Sequence, residues 1–427
     1  MSISTKARCW GRGGAGRGYR LAGAGEPVAL VVVNTCSVTG ESDRQARQLI
    51  RRVAREHPGA RIVVTGCYAQ RAPAELAGLP GVVLVLGNGE KARLWELLEE
   101  GQGSKVVVGD VARLTEVPEQ APLDHFGERA RAFLQVQDGC DRACAYCLIP
   151  QVRGPGRSVP WERVVERAQR LIGAGYEELV VTGVDLGAYG RDLTGGNTLA
   201  GVTRALLGLP GLGRLRLSSV DPLDLDGELL KIFAGEERLC GHAHLSIQSG
   251  DDEVRRRMGR GRGGEAVLER IARLREARPG VVLGADLIVG FPGESEAAFE
   301  NTVALVEEAE VALIHVFPFS SRPGTRAADM PDSVPGGRIR ERSERLRRAG
   351  EGVWRTVAGR RVGGIEVALV ESVKEGIGRG KSEGFLSMRF PARSEWQGRL
   401  LPVACVGSDP ESKELIGDPQ KMYFNPT

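Results

Sequence analysis

Apolar and polar residues alternate along the first quarter of the chain in blocks that predict parallel strands and amphipathic helices. The run VALVVVN at 28–34 is continuously apolar, as in a strand buried on both faces of a parallel sheet. The segment 41–56 places its apolar side chains on one helical stripe: Ala46, Leu49, Ile50, Val53 and Ala54. Further strands are predicted at 61–65, 82–86 and 105–109, with a helix at 90–100. We therefore expect a small doubly wound α/β domain over residues 1–120, in which 1–26 is atypical because it has neither helical nor strand periodicity.

A second alternating series follows a proline-containing linker at 118–122. Its predicted strands are 131–136, 178–182, 214–218, 243–247, 282–289 and 311–316, and its predicted helices are 161–173, 197–207, 226–234, 264–276 and 295–309. Six strands alternating with helices indicate a parallel sheet over residues 126–355, either open or curled into a partial (β/α)6 barrel. In both cases ligands bind at the carboxyl ends of the strands.

The pattern changes again after about Gly350. The segments GIEVALVES, GFLSMRF and RLLPVACVG are short β runs separated by glycine and serine. Short strands with such turns predict a small antiparallel, OB-like β-barrel over residues 356–427.

Composition narrows the protein class but does not identify a function. Hydrophobic residues make up 41% of the 427 residues and charged residues 26%, so large cores are expected and disorder is excluded as the main state. No run of 18 apolar residues and no signal-peptide core is found, so we expect a cytoplasmic protein without a membrane span. Of the 58 basic residues eight are lysine and fifty arginine. The excess of arginine reflects either codon bias or arginines that bind phosphate groups. The net charge of +3 does not distinguish between these two explanations.

Three closely spaced cysteines carry the clearest chemical signal. The segment DGCDRACAYCLIP at 138–150 gives Cys140, Cys144 and Cys147 the spacing C-x3-C-x2-C, directly after the first strand of the second series. Three thiolates can hold three irons of a 4Fe–4S cluster, which leaves the fourth iron open. Zinc would require a fourth cysteine or histidine nearby, and none occurs within the next 90 residues.

This motif, with Tyr146 before its last cysteine, resembles the radical S-adenosylmethionine (SAM) superfamily. The resemblance implies that SAM binds the open iron and is cleaved by one electron to methionine and a 5′-deoxyadenosyl radical. Candidate SAM-binding residues lie in four segments that end strands: TGVDLGAYG, HLSIQSGDD, DLIVGFPGE and HVFPFSSRPGT. From these we select Thr182, Gly183, Asp185, Gln248, Ser249, Asp286 and Gly290.

Over residues 27–420 the chain resembles the methylthiotransferases, which combine an N-terminal α/β domain, a radical SAM domain and a C-terminal barrel called TRAM. Within that family the segments NTCSVT, GVDLGAYG and HVFPFSSRPGT are most similar to the branch acting on N6-threonylcarbamoyladenosine at tRNA position 37. The branches acting on isopentenyladenosine tRNA or on a ribosomal protein remain alternatives. The resemblance implies a methylthio group added to adenine C2, with one SAM supplying the methyl group and a second the radical.

The resemblance also implies a second 4Fe–4S cluster, held by three N-terminal cysteines. Cys36 and Cys67 each follow a predicted strand, and Cys9 is the candidate for the third ligand. Cys9 lies 27 residues before Cys36 in a glycine- and arginine-rich run where the family has a strand and a helix. Either Cys9 completes the site, or the pattern has been lost there and the protein is an impaired homologue without a complete second cluster.

The segment 338–361 contains nine arginines and three glutamates. We interpret it as an RNA surface and select Arg347, Arg348, Arg360 and Arg361; the alternative is a solvated helix with Glu–Arg pairs. The expected partners are a tRNA anticodon loop and an electron donor such as flavodoxin or ferredoxin, and we expect a monomer. The histidines His242, His244 and His315 are read as hydrogen-bonded structural residues, and Cys240 and Cys405 as core residues.

Two further functions stay open at this point. The chain could be a radical SAM enzyme of another reaction class with structural N-terminal cysteines, which predicts a single cluster and no RNA-dependent SAM turnover. It could also be a non-catalytic RNA-binding remnant, which predicts RNA affinity without SAM cleavage.

Overall fold

A computed structural model describes residues 18–20, 22, 26–99, 105–118, 129–261 and 263–423. Cys9, most of the atypical segment 1–26 and part of the expected linker lie outside these residues. The chain divides into unit 1, with residues 1–124, 138–158 and 320–329, and unit 2, with residues 125–137, 159–319 and 330–427. The cysteine-rich loop 138–150 therefore belongs to the same unit as the N-terminal sheet.

Unit 1 contains a four-stranded parallel sheet with its strands in chain order. The strands are β1 (Leu30–Thr35), β2 (Arg61–Gly66), β3 (Val82–Leu86) and β4 (Lys105–Val107). The α-helices of this unit are Gly40–Glu56, Cys67–Arg71, Pro73–Ala77, Leu94–Glu99 and Ile149–Arg153, with 3₁₀ turns at Glu90–Arg93 and Val111–Arg113. The predicted N-terminal α/β domain is thus confirmed among the described residues.

The helix Gly40–Glu56 illustrates why the apolar pattern predicted this domain well. Thr39 caps its first turn by accepting a hydrogen bond from the Ser42 N–H. Ala46 and Ile50 on the predicted stripe are buried in one cluster with Val64 of β2. The helix ends at His57, just before the Pro58–Gly59 turn.

Unit 2 contains six parallel strands that follow one another in two three-stranded sheets. They are β5 (Ala132–Gln135), β8 (Glu178–Thr182), β9 (Arg214–Leu217), β10 (His242–Gln248), β11 (Val282–Val289) and β12 (Val311–Pro318). Two-residue strands follow β5 along the chain: β6 (Gln137–Asp138), which ends in unit 1, and β7 (Arg157–Ser158) of unit 1. An isolated parallel bridge from Val220 to Leu245 connects the two sheets. The helices are Trp161–Gly173, Leu199–Leu207, Gly227–Gly235, Asp252–Met258, Gly264–Ala277, Glu296–Glu308 and Gly336–Gly359.

The C-terminal segment of unit 2 forms a closed five-stranded barrel, as expected. Its strands are β13 (Ile365–Lys374), β14 (Ile377–Lys381), β15 (Ser387–Pro391), β16 (Leu400–Asp409) and β17 (Glu414–Asp418), in the order β13-β14-β15-β17-β16. One strand pair departs from the expected antiparallel pattern, because β15 and β17 run parallel.

The arginine-rich segment before this barrel is part of one 24-residue helix, Gly336–Gly359. Its apolar face includes Leu346, Val353 and Trp354, and the indole of Trp354 is only 3% exposed. Gly350 lies directly over Ile314 of β12, where a Cβ atom would come within 2.4 Å of Ile314 Cδ1. This helix therefore belongs to the packed layer against β12, and Trp354 is a core residue rather than part of an RNA surface.

A buried carboxylate organises the contact between the six-stranded part and the barrel of unit 2. Glu178 on β8 is fully buried and forms ion pairs with Arg214 at 2.5 Å, Arg216 at 3.1 Å and Arg131 at 3.3 Å. Arg214 donates onward to the carbonyls of Val367 and Lys381 in the barrel. Burial alone would raise the pKa of Glu178, but the three guanidinium groups outweigh it and lower the pKa to about 2.

Replacing Glu178 with glutamine is expected to destabilise unit 2 by about 3–5 kcal/mol, because three buried guanidinium groups lose their common counter-charge. Since the folded-state pKa lies below its ordinary value of 4.5, the carboxylate's contribution is complete above pH 4.5 and is lost as the pH falls towards 2. Urea unfolding at pH 7 measures the change. The exposed Glu253→Gln variant is the control, for which a much smaller change is expected; equal effects of the two substitutions would contradict the interpretation.

Candidate functional site

The three cysteines of the 138–150 loop lie in a tightly hydrogen-bonded stretch of unit 1. The Arg142 N–H donates to Cys140 Sγ and the Ile149 N–H donates to Cys147 Sγ, each at 3.4 Å. The Cys147 N–H in turn donates to the Cys144 carbonyl at 3.2 Å. Backbone donors to sulfur are a common feature of iron–sulfur ligand loops, where they stabilise the anionic form of the sulfur.

Two glycines allow this loop to close on itself. Gly139 has a φ of +74°, and a Cβ atom there would lie 1.8 Å from the Pro155 carbonyl oxygen. Gly154 has a φ of +77° and accepts a hydrogen bond from the Cys140 N–H at 3.1 Å. The loop geometry therefore requires glycine at both positions.

Cys36 and Cys67 are neighbours at one edge of the unit 1 sheet. Thr35 and Gly66 are register partners at the ends of β1 and β2, and the two cysteines are the next residues along each strand. Gly66 has a φ of +105°, and a Cβ atom there would lie 2.1 Å from the Thr35 carbonyl oxygen. Close approach of the two strand ends thus places both cysteines where their side chains could share a metal group.

Arg153 contacts both the cysteine loop and Cys67. Its Nε donates to Cys67 Sγ at 3.2 Å, and its Nη1 pairs with Asp138 at 3.1 Å. Burial would lower the pKa of Arg153, but Cys67 and Asp138 outweigh it and hold the pKa above its ordinary value. The ligands of an iron–sulfur cluster are negatively charged thiolates, and the buried guanidinium of Arg153 beside Cys67 Sγ is suited to balance such a charge.

The segment 320–329 joins the same unit through two further contacts. Arg322 pairs with the buried Asp43, which also accepts hydrogen bonds from Ser37 and Arg71. The Ala327 N–H donates to the Ala145 carbonyl at 2.8 Å. Unit 1 thus brings together the NTCSVT, GCYAQR, cysteine-loop and RPGT segments.

The cysteine sets fit iron–sulfur clusters by their donor chemistry. Cys140, Cys144 and Cys147 supply three sulfurs from one loop, and Cys36 with Cys67 supply two from adjacent strand ends. Cys9, the expected third ligand of the second set, lies outside the described residues. Cys240 and Cys405 are buried in unit 2, as expected of core residues, and burial raises the pKa of Cys240 to about 11.

The candidate SAM-binding residues after β8 form one turn in unit 2. Thr182 ends the strand, and Gly183 lies against Gln137. A Cβ atom added to Gly183 would lie 3.1 Å from the Cβ of Gln137. The Gln137 Oε1 accepts the N–H groups of Val184 and Asp185, each at 2.8 Å. Gln137 was not singled out in the sequence, because nothing in the local pattern reveals a partner 47 residues away.

The other candidates lie on or just after β10 and β11, in the second three-stranded sheet. Gln248 at the end of β10 has a φ of +70°, a conformation that costs a non-glycine residue energy and is common at ligand sites. Ser249 is fully buried, and its hydroxyl bonds to Thr302 at 3.3 Å. Gly290 has a φ of +81°, and its N–H donates to Glu294 at 2.8 Å.

Asp286 on β11 is shared by two histidines. Its Oδ1 lies 3.0 Å from His244 Nε2 and 3.1 Å from His315 Nδ1. Burial would raise the pKa of Asp286, but the hydrogen bonds from both imidazoles outweigh it and hold the pKa well below its ordinary value. His244 and His315 are therefore hydrogen-bonded, as expected, and both share the Asp286 carboxylate as their partner. His242 differs, because it is buried and neither ring nitrogen has a hydrogen-bond partner among the described residues.

The candidate RNA-binding arginines fall into two groups. Arg347 and Arg348 are exposed on the helix Gly336–Gly359. Arg360 pairs with Glu310 at 2.6 Å, and Arg361 pairs with Glu366 at 3.3 Å. Arg347 and Arg348 are therefore freer than Arg360 and Arg361 to contact phosphate.

In the part of the chain that the structure describes, we find no helix with the length and apolar composition of a membrane span.

Two family models match the chain. The Radical SAM superfamily model matches residues 134–306, and a model described as uncharacterized protein family UPF0004 matches residues 15–87. The solved structure of the radical SAM methyltransferase TsrM from Kitasatospora setae, with cobalamin and a 4Fe–4S cluster bound, has a TM-score of 0.53. It is 18% identical and covers 71% of this chain and 66% of that chain, a likeness that shows the fold alone.

Curated relatives resemble the chain over most of its length. The threonylcarbamoyladenosine tRNA methylthiotransferase MtaB of Rickettsia prowazekii is 42% identical, over 75% of this chain and 76% of its own. The enzyme of that name from Bacillus subtilis is 33% identical, over 90% of this chain and 87% of its own. A tRNA-2-methylthio-N(6)-dimethylallyladenosine synthase of Cereibacter sphaeroides is also 33% identical, over 93% and 91%.

Proposed function

We propose that this chain, which belongs to the family of radical SAM tRNA methylthiotransferases, converts N6-threonylcarbamoyladenosine at position 37 of tRNA to its 2-methylthio derivative. The observation that carries the proposal is the grouping in unit 1 of the C-x3-C-x2-C loop with Cys36 and Cys67. SAM cleavage by itself needs only the first of these two cysteine sets. The adenine C2 position carries no acidic proton, so acid–base chemistry alone would not activate it.

In this proposal Cys140, Cys144 and Cys147 hold the 4Fe–4S cluster that binds SAM. When bound, that cluster supplies the electron that cleaves SAM to a 5′-deoxyadenosyl radical, and a donor such as flavodoxin or ferredoxin reduces it. The N–H groups of Arg142 and Ile149 fix two of the ligand sulfurs.

SAM itself is assigned to the strand ends of unit 2. There the turn at Thr182, Gly183 and Asp185, with Gln248 and Gly290 at the ends of β10 and β11, forms the proposed SAM-binding surface. Asp286, the remaining candidate, faces His244 and His315 instead. Ser249, buried against Thr302, acts in this proposal by supporting the turn that follows Gln248.

A second 4Fe–4S cluster is assigned to Cys36 and Cys67, with Cys9 as the candidate third ligand. Arg153 supports this assignment, because its guanidinium contacts Cys67 Sγ and would balance the charge of a ligated thiolate. A cluster held by these cysteines would supply the sulfur for the methylthio group. A tRNA substrate would support a cytoplasmic location for this activity.

An anaerobic assay of the iron-reconstituted protein tests the function. Anticodon stem-loops that carry threonylcarbamoyladenosine or isopentenyladenosine at position 37 are supplied with SAM and a reductant, and nucleosides are analysed by mass spectrometry. We expect the methylthio product from the threonylcarbamoyl RNA, together with RNA-stimulated 5′-deoxyadenosine. SAM cleavage without either product would favour another reaction class, and product from the isopentenyl RNA alone would favour the dimethylallyladenosine branch.

The exposed Arg347 and Arg348 are assigned to the RNA backbone. Replacing both with alanine is expected to weaken tRNA binding and to reduce the slope of log affinity against log salt by about two, one for each lost phosphate contact. SAM cleavage without RNA is expected to remain. Filter binding at several salt concentrations measures the slope, and the exposed pair Arg51 and Arg52 on the helix Gly40–Glu56 provides a matched double-alanine control. An unchanged slope would contradict the assignment.

A further inference from the structure

His315 lies on the face of the β10–β11–β12 sheet that is opposite to the helix Gly336–Gly359. Along β12 the side chains alternate: Ile314 packs against Gly350 of the helix Gly336–Gly359, whereas His315 and Phe317 are exposed. The side chain of His315 remains 64% exposed although it sits in the middle of a strand. The open face of this sheet therefore presents an imidazole rather than an apolar core residue.

The surrounding residues fix the orientation of this imidazole. His315 Nδ1 faces Asp286 Oδ1 on the neighbouring strand, and His244 Nε2 bonds the same carboxylate oxygen. His244 in turn lies flat over β11 because residue 284 is a glycine; a Cβ there would lie 2.6 Å from His244 Nδ1. Three residues on the two neighbouring strands thus fix the orientation of the His315 ring.

The remaining nitrogen of His315 is available to a ligand. Because Nδ1 donates to Asp286, Nε2 carries no hydrogen bond within the described part of the chain. The hydrogen bond to Asp286 also raises the pKa of His315, which favours the protonated ring. A protonated Nε2–H is a charge-assisted donor, for which a carboxylate is the matching acceptor.

We propose that His315 recognises the carboxylate of the substituent on N6 of the target adenosine, with Asp286 and His244 as positioning residues. This inference rests on the proposed function, because the threonylcarbamoyl group carries a carboxylate and the isopentenyl group has no hydrogen-bond acceptor. His315 is thereby a specificity-determining residue for the methylthiolation reaction.

The test compares two anticodon stem-loops, one with threonylcarbamoyladenosine and one with its methyl ester, in which the negative charge is removed. For the wild-type protein we expect KM to be about tenfold or more lower for the acid than for the ester, as for a hydrogen bond to a charged group. In His315→Gln this difference is expected to disappear through a higher KM for the acid, with kcat and RNA-independent SAM cleavage retained. Asp286→Asn is expected to show a smaller shift in the same direction, and Phe317→Leu is the control on the same face.

Distinct outcomes separate the inference from the proposed function. If the wild-type protein modifies neither RNA, the proposed function fails. If it modifies both with equal KM, or if His315→Gln keeps the preference for the acid, the inference is overturned while the function stands. The side chains of His244, Asp286 and His315 also place one potential metal-ligand atom each within 4.8 Å of one another. Binding of one Zn²⁺ per chain by iron-free protein, lost in His315→Gln, would identify a cation site instead and would also overturn the inference.

Discussion

Replacing Cys140, Cys144 and Cys147 together with alanine is expected to abolish SAM cleavage, so that 5′-deoxyadenosine falls to background. The three sulfurs come from a single loop, and no other cysteine in the described residues of that loop could substitute for them. The reconstituted variant is also expected to hold about four fewer irons per chain than the wild type. Chromatographic detection of 5′-deoxyadenosine and iron analysis measure the two effects.

Cys240→Ala is the matched control for this first prediction. Cys240 is fully buried in unit 2, outside the cysteine loop of unit 1, and burial raises its pKa to about 11, so the free thiol stays protonated. That variant should keep both its iron and SAM cleavage. Residual 5′-deoxyadenosine in the triple variant, or its loss in Cys240→Ala, would contradict the assignment of the cluster.

Replacing Cys36 and Cys67 with alanine is expected to separate the two halves of the reaction. The cysteine loop remains intact, so SAM cleavage continues, while the methylthio product disappears because the proposed sulfur-delivering cluster has lost two ligands. Iron is expected to fall from about eight to about four per chain. Anaerobic reconstitution with iron counting, followed by nucleoside analysis, measures both quantities, and Cys405→Ala in the barrel is the control.

The same iron count decides the role of Cys9. If the wild-type protein holds about eight irons and Cys9→Ala about four, Cys9 is the third ligand of the second cluster. If the wild-type protein holds only about four, the second cluster is absent and the chain is an impaired homologue. Methylthio product from the Cys36 and Cys67 double variant would contradict sulfur delivery at this sheet edge.

Local patterns predicted the strands and helices well because each depends on nearby residues. The stripe through Ala46 and Ile50 gave the first helix, and the runs at 178–182 and 282–289 match β8 and β11 residue for residue. The long helix Gly336–Gly359 was predicted only as the alternative, a solvated helix with Glu–Arg pairs, although its apolar residues Leu346, Val353 and Val357 recur with helical spacing. Its many arginines directed the interpretation to charge rather than to that stripe.

Contacts between distant residues could not be predicted from the sequence. Arg153 meets Cys67 across 86 residues, and Arg322 meets Asp43 across 279. Each of these arginines looks like any other in a chain with fifty of them. The parallel pairing of β15 with β17 also depends on how the barrel closes rather than on either strand alone.

The central claim is tested most directly by the nucleosides of cellular tRNA. Cells that lack this gene are supplied with the wild-type protein or with the variant in which Cys140, Cys144 and Cys147 are alanine, and their tRNA is digested and analysed by mass spectrometry. We predict that the 2-methylthio form of threonylcarbamoyladenosine appears with the wild-type protein alone, while the variant leaves the unmodified nucleoside. Absence of that methylthio nucleoside in cells that contain the cluster-loaded wild-type protein would contradict the proposed function.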